Sequence, residues 1–323
     1  MLASLDPSQP RPLRAIAVLA AIAVAVATAF MTIGANGQWD FVLSFRGSKL
    51  AAMALVGYAI AVSTVLFQTI TANRILTPAI MGLDSLFILI QTSLVFALGT
   101  SRVALIAPQA MFLVHCAAMI GFSWLLYRTL FSGRLQSLHL VMLVGLVLGV
   151  LFRSLATLMQ RIMAPNEFIV LQDRLFANFN AVNTDVLLIS AVAVAAATIL
   201  GWRSLRTFDV LALGRDAAIS LGVDYKATVT LVLIIVSVLV SVSTALVGPV
   251  TFFGLLVASL AYRIAGSSKH IYVLPIAVLI AIIALIGGQL VLERVFALNT
   301  ALSIIIEFAG GIAFIILTLR SAR

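Results

Sequence analysis

Apolar residues run along this chain in continuous windows, separated by short clusters of charged residues, glycine and proline. A helix needs roughly 20 apolar residues to cross the hydrocarbon of a bilayer. Ten windows meet or approach that length, at 13–33, 50–69, 79–98, 107–127, 138–159, 184–200, 227–247, 250–264, 272–292 and 301–319. The pattern predicts an all-α, polytopic membrane protein of about ten transmembrane helices. The eighth window is short and follows Gly248 and Pro249, which suits a broken helix surrounded by protein. Arg11 and Arg14 ahead of the first apolar run, with small residues at Ala27 and Ala29, resemble a cleavable leader. The apolar run continues through Phe30, Met31 and Ile33, so it is read as a retained span.

Composition sharpens this picture. Hydrophobic residues make up 63% of the 323 and charged residues 10%, with mean hydropathy +1.20. Soluble domains are about 45–50% apolar and about 25% charged, which excludes a soluble enzyme or a nucleic-acid binder. The net charge of +9 comes from basic residues at the ends of the windows, the pattern of topology signals. With ten spans both termini share one side. Cytoplasmic termini put 13 of the 20 basic residues on that side and leave seven outside, among them Arg46, Lys49, Arg153, Arg161 and Arg294. The expected organisation is a cytoplasmic tail at 1–12, one transmembrane domain at 13–320 and a short tail at 321–323. Cys116 lies in an apolar window and reads as a core filler.

Two connections exceed a simple turn. Residues 160–183, which carry Glu167, Asp173, Arg174, Asn178 and Asn180, predict a short helix beside the pathway. Residues 201–225 predict two short helices: Asp209 as an N-cap, Gly214 as a break, Asp216 at the positive end of the second helix and Gly222 as its stop. Leu213, Ala217, Ala218 and Leu221 then share an apolar face, suited to lipid headgroups or to a partner protein.

Two acids fall inside windows, Asp84 and Glu307. A charge at a helix centre costs roughly 2.5–3.5 kcal/mol on the insertion scale, so each is a functional candidate by default. Asp84 also suits a local cap or a pair with Arg74, and Glu307 an interhelical hydrogen bond. Gly145 with Gly149, Gly287 with Gly288, and Gly310 with Gly311 permit close helix packing. His115, His139 and His270 lack metal-ligand spacing, and no phosphate-cradling G-x-x-x-x-G-K-[ST] occurs.

The stretch Leu211-Ala-Leu-Gly-Arg-Asp-Ala-Ala-Ile-Ser-Leu-Gly-Val resembles the L-x-L-G-x-x-x-A-x-x-L-G-V coupling segment of FecCD-type permeases, subunits of bacterial importers for iron chelates and cobalamin. Val247-Gly-Pro-Val-Thr-Phe-Phe-Gly-Leu-Leu-Val is similar to the family's G-x-I-x-F-V-G-L-I-V, with Ala258 and Ser259 where Pro-His is usual. Leu66 to Asp84 resembles Q-x-x-x-x-N-P-L-A-x-P-x-x-L-G, with Asn73-Arg74 in place of Asn-Pro. The departures look like the branch that imports ferric siderophores of catecholate and petrobactin type.

The resemblance implies a type II ABC importer permease in the bacterial inner membrane. It implies that residues 207–223 dock on a separate ATPase through Leu211, Leu213, Gly214, Ala217, Ala218, Leu221 and Gly222. ATP and Mg would then belong to that ATPase, with no cofactor bound by this chain. A second permease, like or unlike, completes the pore, and an extracytoplasmic binding protein delivers the ferric siderophore. Outward Arg46, Lys49 and Arg294 are the implied docking residues for that protein, and Asp84, Asn180 and Glu307 the pathway candidates. The competing expectation is a proton-coupled ten-helix secondary transporter working through Asp84 and Glu307.

Overall fold

The computed structural model describes residues 11–34, 39, 42–131, 138–180, 182–295 and 302–321, and among them it is helical without strands. Ten helices coincide with the ten apolar windows: α1 (Arg11–Thr32), α2 (Gly47–Thr71), α3 (Leu83–Leu98), α5 (Pro108–Leu126), α6 (Leu138–Ile162), α8 (Thr184–Trp202), α11 (Tyr225–Val247), α12 (Phe253–Ala265), α13 (His270–Arg294) and α14 (Leu302–Ser321). Seven are long and apolar enough to cross a membrane, while α3 and α12 are shorter apolar helices. Four more lie in connections: α4 (Thr100–Ala104), α7 (Pro165–Leu175), α9 (Leu205–Leu211) and α10 (Arg215–Ser220). Helix α7 is the short helix expected in 160–183, with Glu167 in its first turn and Arg174 in its last, each sign favoured by the helix dipole.

Helix α2 is the centre of the bundle. It packs against α13 on one side and α11 on the other, with α12 alongside. About two-thirds of its apolar window is buried (67%), as in α11, against 22% for α6 and 11% for α1. A helix apolar all round belongs in a core. One core gathers α3, α5, α6, α8 and α11 around the Val62–Phe67–Ile70 side of α2. The other gathers α1, α12, α13 and α14 around Met53, Val56 and Val65.

Two helices start inside the protein. Ala72 ends α2 in a left-handed conformation, Thr77 is extended, and a 3-10 turn over Pro78–Met81 leads to Gly82 at φ +81°. The window at 79–98 is therefore not one helix: the chain turns at Gly82, and α3 keeps only 16 residues. The second break follows α11 at Gly248, φ +100° and ψ +170°, in a backbone region open only to glycine. Helix α12 then begins at Phe253, as expected after Gly248 and Pro249. Gly82 lies directly on α6, where a Cβ on it would fall 2.8 Å from the Gly145 carbonyl oxygen and 2.9 Å from Gly149 Cα. That close packing was expected for Gly145 and Gly149. Gly287 and Gly311 face open space instead.

Candidate functional site

The first cluster is the α9–α10 pair. Gly214 separates the helices at φ +99° and ψ +169°, and Gly222 follows α10 at φ +83°, matching the expected break and stop. Asp209 is not an N-cap. Helix α9 begins earlier, at Leu205, because Phe208 and Leu211 are buried and pull a full turn into the core. Asp209 instead sits inside α9, and its Oδ1 accepts from the backbone N–H of His270 at 2.8 Å and from His270 Nδ1 at 2.6 Å. The other ring nitrogen of His270 shares a hydrogen bond with Thr69 Oγ1 at 2.8 Å. One imidazole thus ties α9 to the start of α13 and the end of α2. Asp209→Ala removes two bonds to the same oxygen. A loss of about 1–3 kcal/mol is expected, read as faster amide exchange over 205–222 in the purified protein, with no change expected in α5.

The apolar face expected on this pair is divided. Leu211 and Ala218 point into the core and anchor the helices. Leu213, Ile219 and Leu221 are 65%, 51% and 63% exposed, and Ala217 is half-buried. Ile219 completes the outer patch. A count at helical spacing misses it because Gly214 resets the register between α9 and α10. A cavity of about 770 Å³ adjoins the patch, lined by Arg74, Asp209, Leu213, Tyr262 and Lys269.

The second cluster lies where the broken helices meet. Asp84 stands in the first turn of α3, buried, with its carboxylate accepting from Thr251 Oγ1 at 3.2 Å and from Thr244 Oγ1 at 3.5 Å. Arg74 is not its partner. That guanidinium lies over the Tyr262 ring at 4.4 Å and donates to Ser268 Oγ. Glu307 of α14 reaches the backbone of the same Thr251 and feels the charge of Asp84. The two intramembrane acids, far apart in sequence, therefore converge on one residue of the second break. The space beside Asp84 is narrow: Ser63, Thr64, Thr77, Ser243 and Thr244 line a cavity of about 30 Å³, room for a water or two. Beside it a wider cavity of about 570 Å³ opens between the first break and α6, lined by Arg153 and Arg161. Arg153, counted with the outer basic residues although it falls within the fifth window, is thus a residue of α6. The window average over 138–159 concealed it.

The third cluster joins the basic residues expected on the outer side. Arg46 Nη1 donates to the carbonyls of Phe30, Met31 and Ile33 at 3.0, 3.4 and 2.8 Å, and Arg294 donates to the Ile33 carbonyl. Both hold the otherwise unpaired carbonyls at the end of α1. Lys49 points inward. Its Nζ is 2.8 Å from Asn180 Oδ1 and 3.2 Å from Glu293 Oε1, and the residue is 6% exposed. That burial removes Lys49 from the surface, so the expected docking trio loses one member, and Asn180 is engaged with it.

The FecCD transport family model matches residues 13–320. The chain is 48% identical over 287 residues to the petrobactin import system permease protein YclO of Bacillus subtilis, covering 89% of this chain and 91% of that protein. It is 37% identical over 279 residues to the permease FatC of the petrobactin import system of Bacillus anthracis, covering 86% and 79%. Among solved structures, an inward-facing metal-chelate type ABC transporter superimposes with a TM-score of 0.81 at 22% identity, covering 95% of this chain and 99% of that one. That likeness establishes the fold. With the family model spanning nearly the whole length and both petrobactin-system permeases well above 30% identity, this chain belongs to the FecCD transport family.

Proposed function

We propose that this protein is the membrane permease subunit of an ABC importer that carries a ferric siderophore of petrobactin type across the bacterial cytoplasmic membrane. The observation that carries the reading is the 48% identity to a petrobactin import permease over 89% of the chain. The two broken helices and the exposed α9–α10 patch support it, since both suit a pore moved by an external engine.

In this reading Leu213, Ile219 and Leu221 dock on a separate ATPase, while Leu211 and Ala218 carry the movement inward to α11, and Asp209 with His270 carries it to α2 and α13. ATP and Mg stay on that ATPase. A second permease, a copy of this chain or a paralogue, closes the pore. Both termini lie in the cytoplasm, which agrees with the excess of basic residues on that side. A binding protein docks on the opposite side. Arg294 remains exposed there and, with Arg46, is the cation proposed to meet its acids. Asp84 and Glu307 mark where the pore is narrow.

The test is ATP-dependent uptake of radioactive ferric petrobactin by the importer complex in proteoliposomes, with and without Gly214→Trp. A side chain in the conformation of Gly214 costs roughly 1–3 kcal/mol, enough to distort the docking turn while the buried helices remain. Uptake is expected to fall about tenfold with the variant still folded. Undiminished uptake would remove the coupling role from this segment, and absence of wild-type uptake would remove the substrate.

A further inference from the structure

Two arginines of α6 stand on one row of the helix. Arg153, Thr157 and Arg161 follow at four-residue spacing, so their side chains lie one above another on one face, spread over about 12 Å by the helical rise. All three are exposed, and they form one wall of the 570 Å³ cavity, facing the 3-10 turn, Gly82 and Ser85. Among the described residues the ion pair is Lys49 with Glu293, and the other close acid–base contact is His270 with Asp209, so neither arginine is in one. Asp84 is the acid whose charge reaches Arg153, and it is already held by two threonine hydroxyls. Thr157 donates its hydroxyl to the Arg153 carbonyl at 2.8 Å and acts as a spacer.

Position matters as much as charge. Arg153 lies well within a helix of 25 residues that is apolar enough to cross a membrane. A guanidinium at that depth faces water, protein or a ligand, not lipid tails. It offers five donors in a planar fork and no acceptor, a shape that pairs with carboxylate-like oxygens two at a time. Apart from Gly149 and Ser154, the rest of the α6 wall, Leu146, Val150 and Leu158, is apolar, so the two guanidinium groups are its charged features.

We propose that Arg153 and Arg161 form a two-rung anion site on the pore wall, taking the negatively charged oxygen face of the iron chelate as it passes. The proposal rests on the importer reading and adds the class of ligand: a chelate of net negative charge with carboxylate or phenolate oxygens around the metal. A ferric ion wrapped in such oxygens keeps that charge, whereas a neutral chelate gains nothing from the rungs.

The experiment uses the importer complex with its ATPase and binding protein, in proteoliposomes of phosphatidylcholine alone and with one-third phosphatidylglycerol. Initial uptake of radioactive ferric petrobactin is compared between wild type, R153Q/R161Q and R153K/R161K, each checked for co-purification of the ATPase. Loss of two charge-assisted contacts is expected to lower uptake by the glutamine pair at least about tenfold in both membranes, and the lysine pair is expected to stay within about threefold of wild type. Equal uptake by wild type and the glutamine pair overturns the site. Equal loss in both pairs overturns it too, by pointing to packing rather than charge. A glutamine defect confined to the anionic membrane assigns the arginines to lipid headgroups and overturns the pore role. Absence of wild-type uptake instead defeats the importer reading, a distinguishable failure.

Discussion

Lys49→Met is expected to destabilise the folded protein by about 3–5 kcal/mol, the usual result of removing one partner from a buried ion pair. The Lys49 ammonium sits between Asn180 Oδ1 and Glu293 Oε1, and the two side chains are 7% and 17% exposed. Gln289 donates to the same two oxygens at 2.9 Å each and is fully buried. Three helices or connections meet there: the start of α2, the end of α13 and the segment before α8. Without the lysine, Glu293 keeps a neutral amide as its donor and its charge is left uncompensated. Lys49→Met with Glu293→Leu is expected to recover most of the loss, because replacing both charges by apolar groups of similar volume is often neutral or better. A double-mutant cycle on unfolding in mild detergent isolates the pair. A single variant within 1 kcal/mol of wild type would show that the pair stabilises nothing.

The same residue shows where a sequence stops being informative. The spans are legible because lipid imposes one length and one polarity on every crossing, and ten windows became ten helices. The charges at the ends of windows are visible, but their partners are not. Lys49 reads as an outward cation beside Arg46, and nothing local announces a carboxylate on a helix 244 positions away. Asp209 failed for a related reason. Its neighbourhood fits an N-cap, yet Phe208 and Leu211 are buried one turn into a helix that starts at Leu205, and tertiary burial overrides capping preference. Arg153 was hidden by averaging, since a single charge changes the mean of a long apolar window very little. Gly82 was hidden in the same way, although glycine four residues after Pro78 is an ordinary signal for a turn.

The docking patch was half legible. Gly214 and Gly222 announce themselves, because a positive φ admits few other residues. Which of Leu211, Leu213, Ala218 and Leu221 point outward depends on how α9 and α10 lie against α11 and α13, and this is set by contacts beyond the segment. The convergence of Asp84 and Glu307 on Thr251 depends on contacts of the same kind. Two breaks, one after Ala72 and one after Val247, must meet before the acids on α3 and α14 come together.

The first of those breaks makes the strongest steric prediction. Gly149→Ala places a methyl 2.9 Å from Gly82 Cα, backbone against backbone, where no side chain rotates away to make room. Helix α6 must then move from the Pro78–Met81 turn, and overpacking of this kind costs about 1–3 kcal/mol. Alanine also favours a helix over glycine by roughly 1 kcal/mol, so the measured loss reports a larger clash than its size suggests. Gly287→Ala supplies the comparison, because nothing lies within 4 Å of the added carbon. It is expected to leave stability unchanged or raise it by up to about 1 kcal/mol. Detergent unfolding of the two variants side by side separates tight packing from the general behaviour of glycine in a helix. If Gly149→Ala unfolds no earlier than Gly287→Ala, the Gly145–Gly149 face is not pressed against Gly82. The position of Asp84, two residues beyond Gly82, would then need another explanation than the seating of its turn on α6.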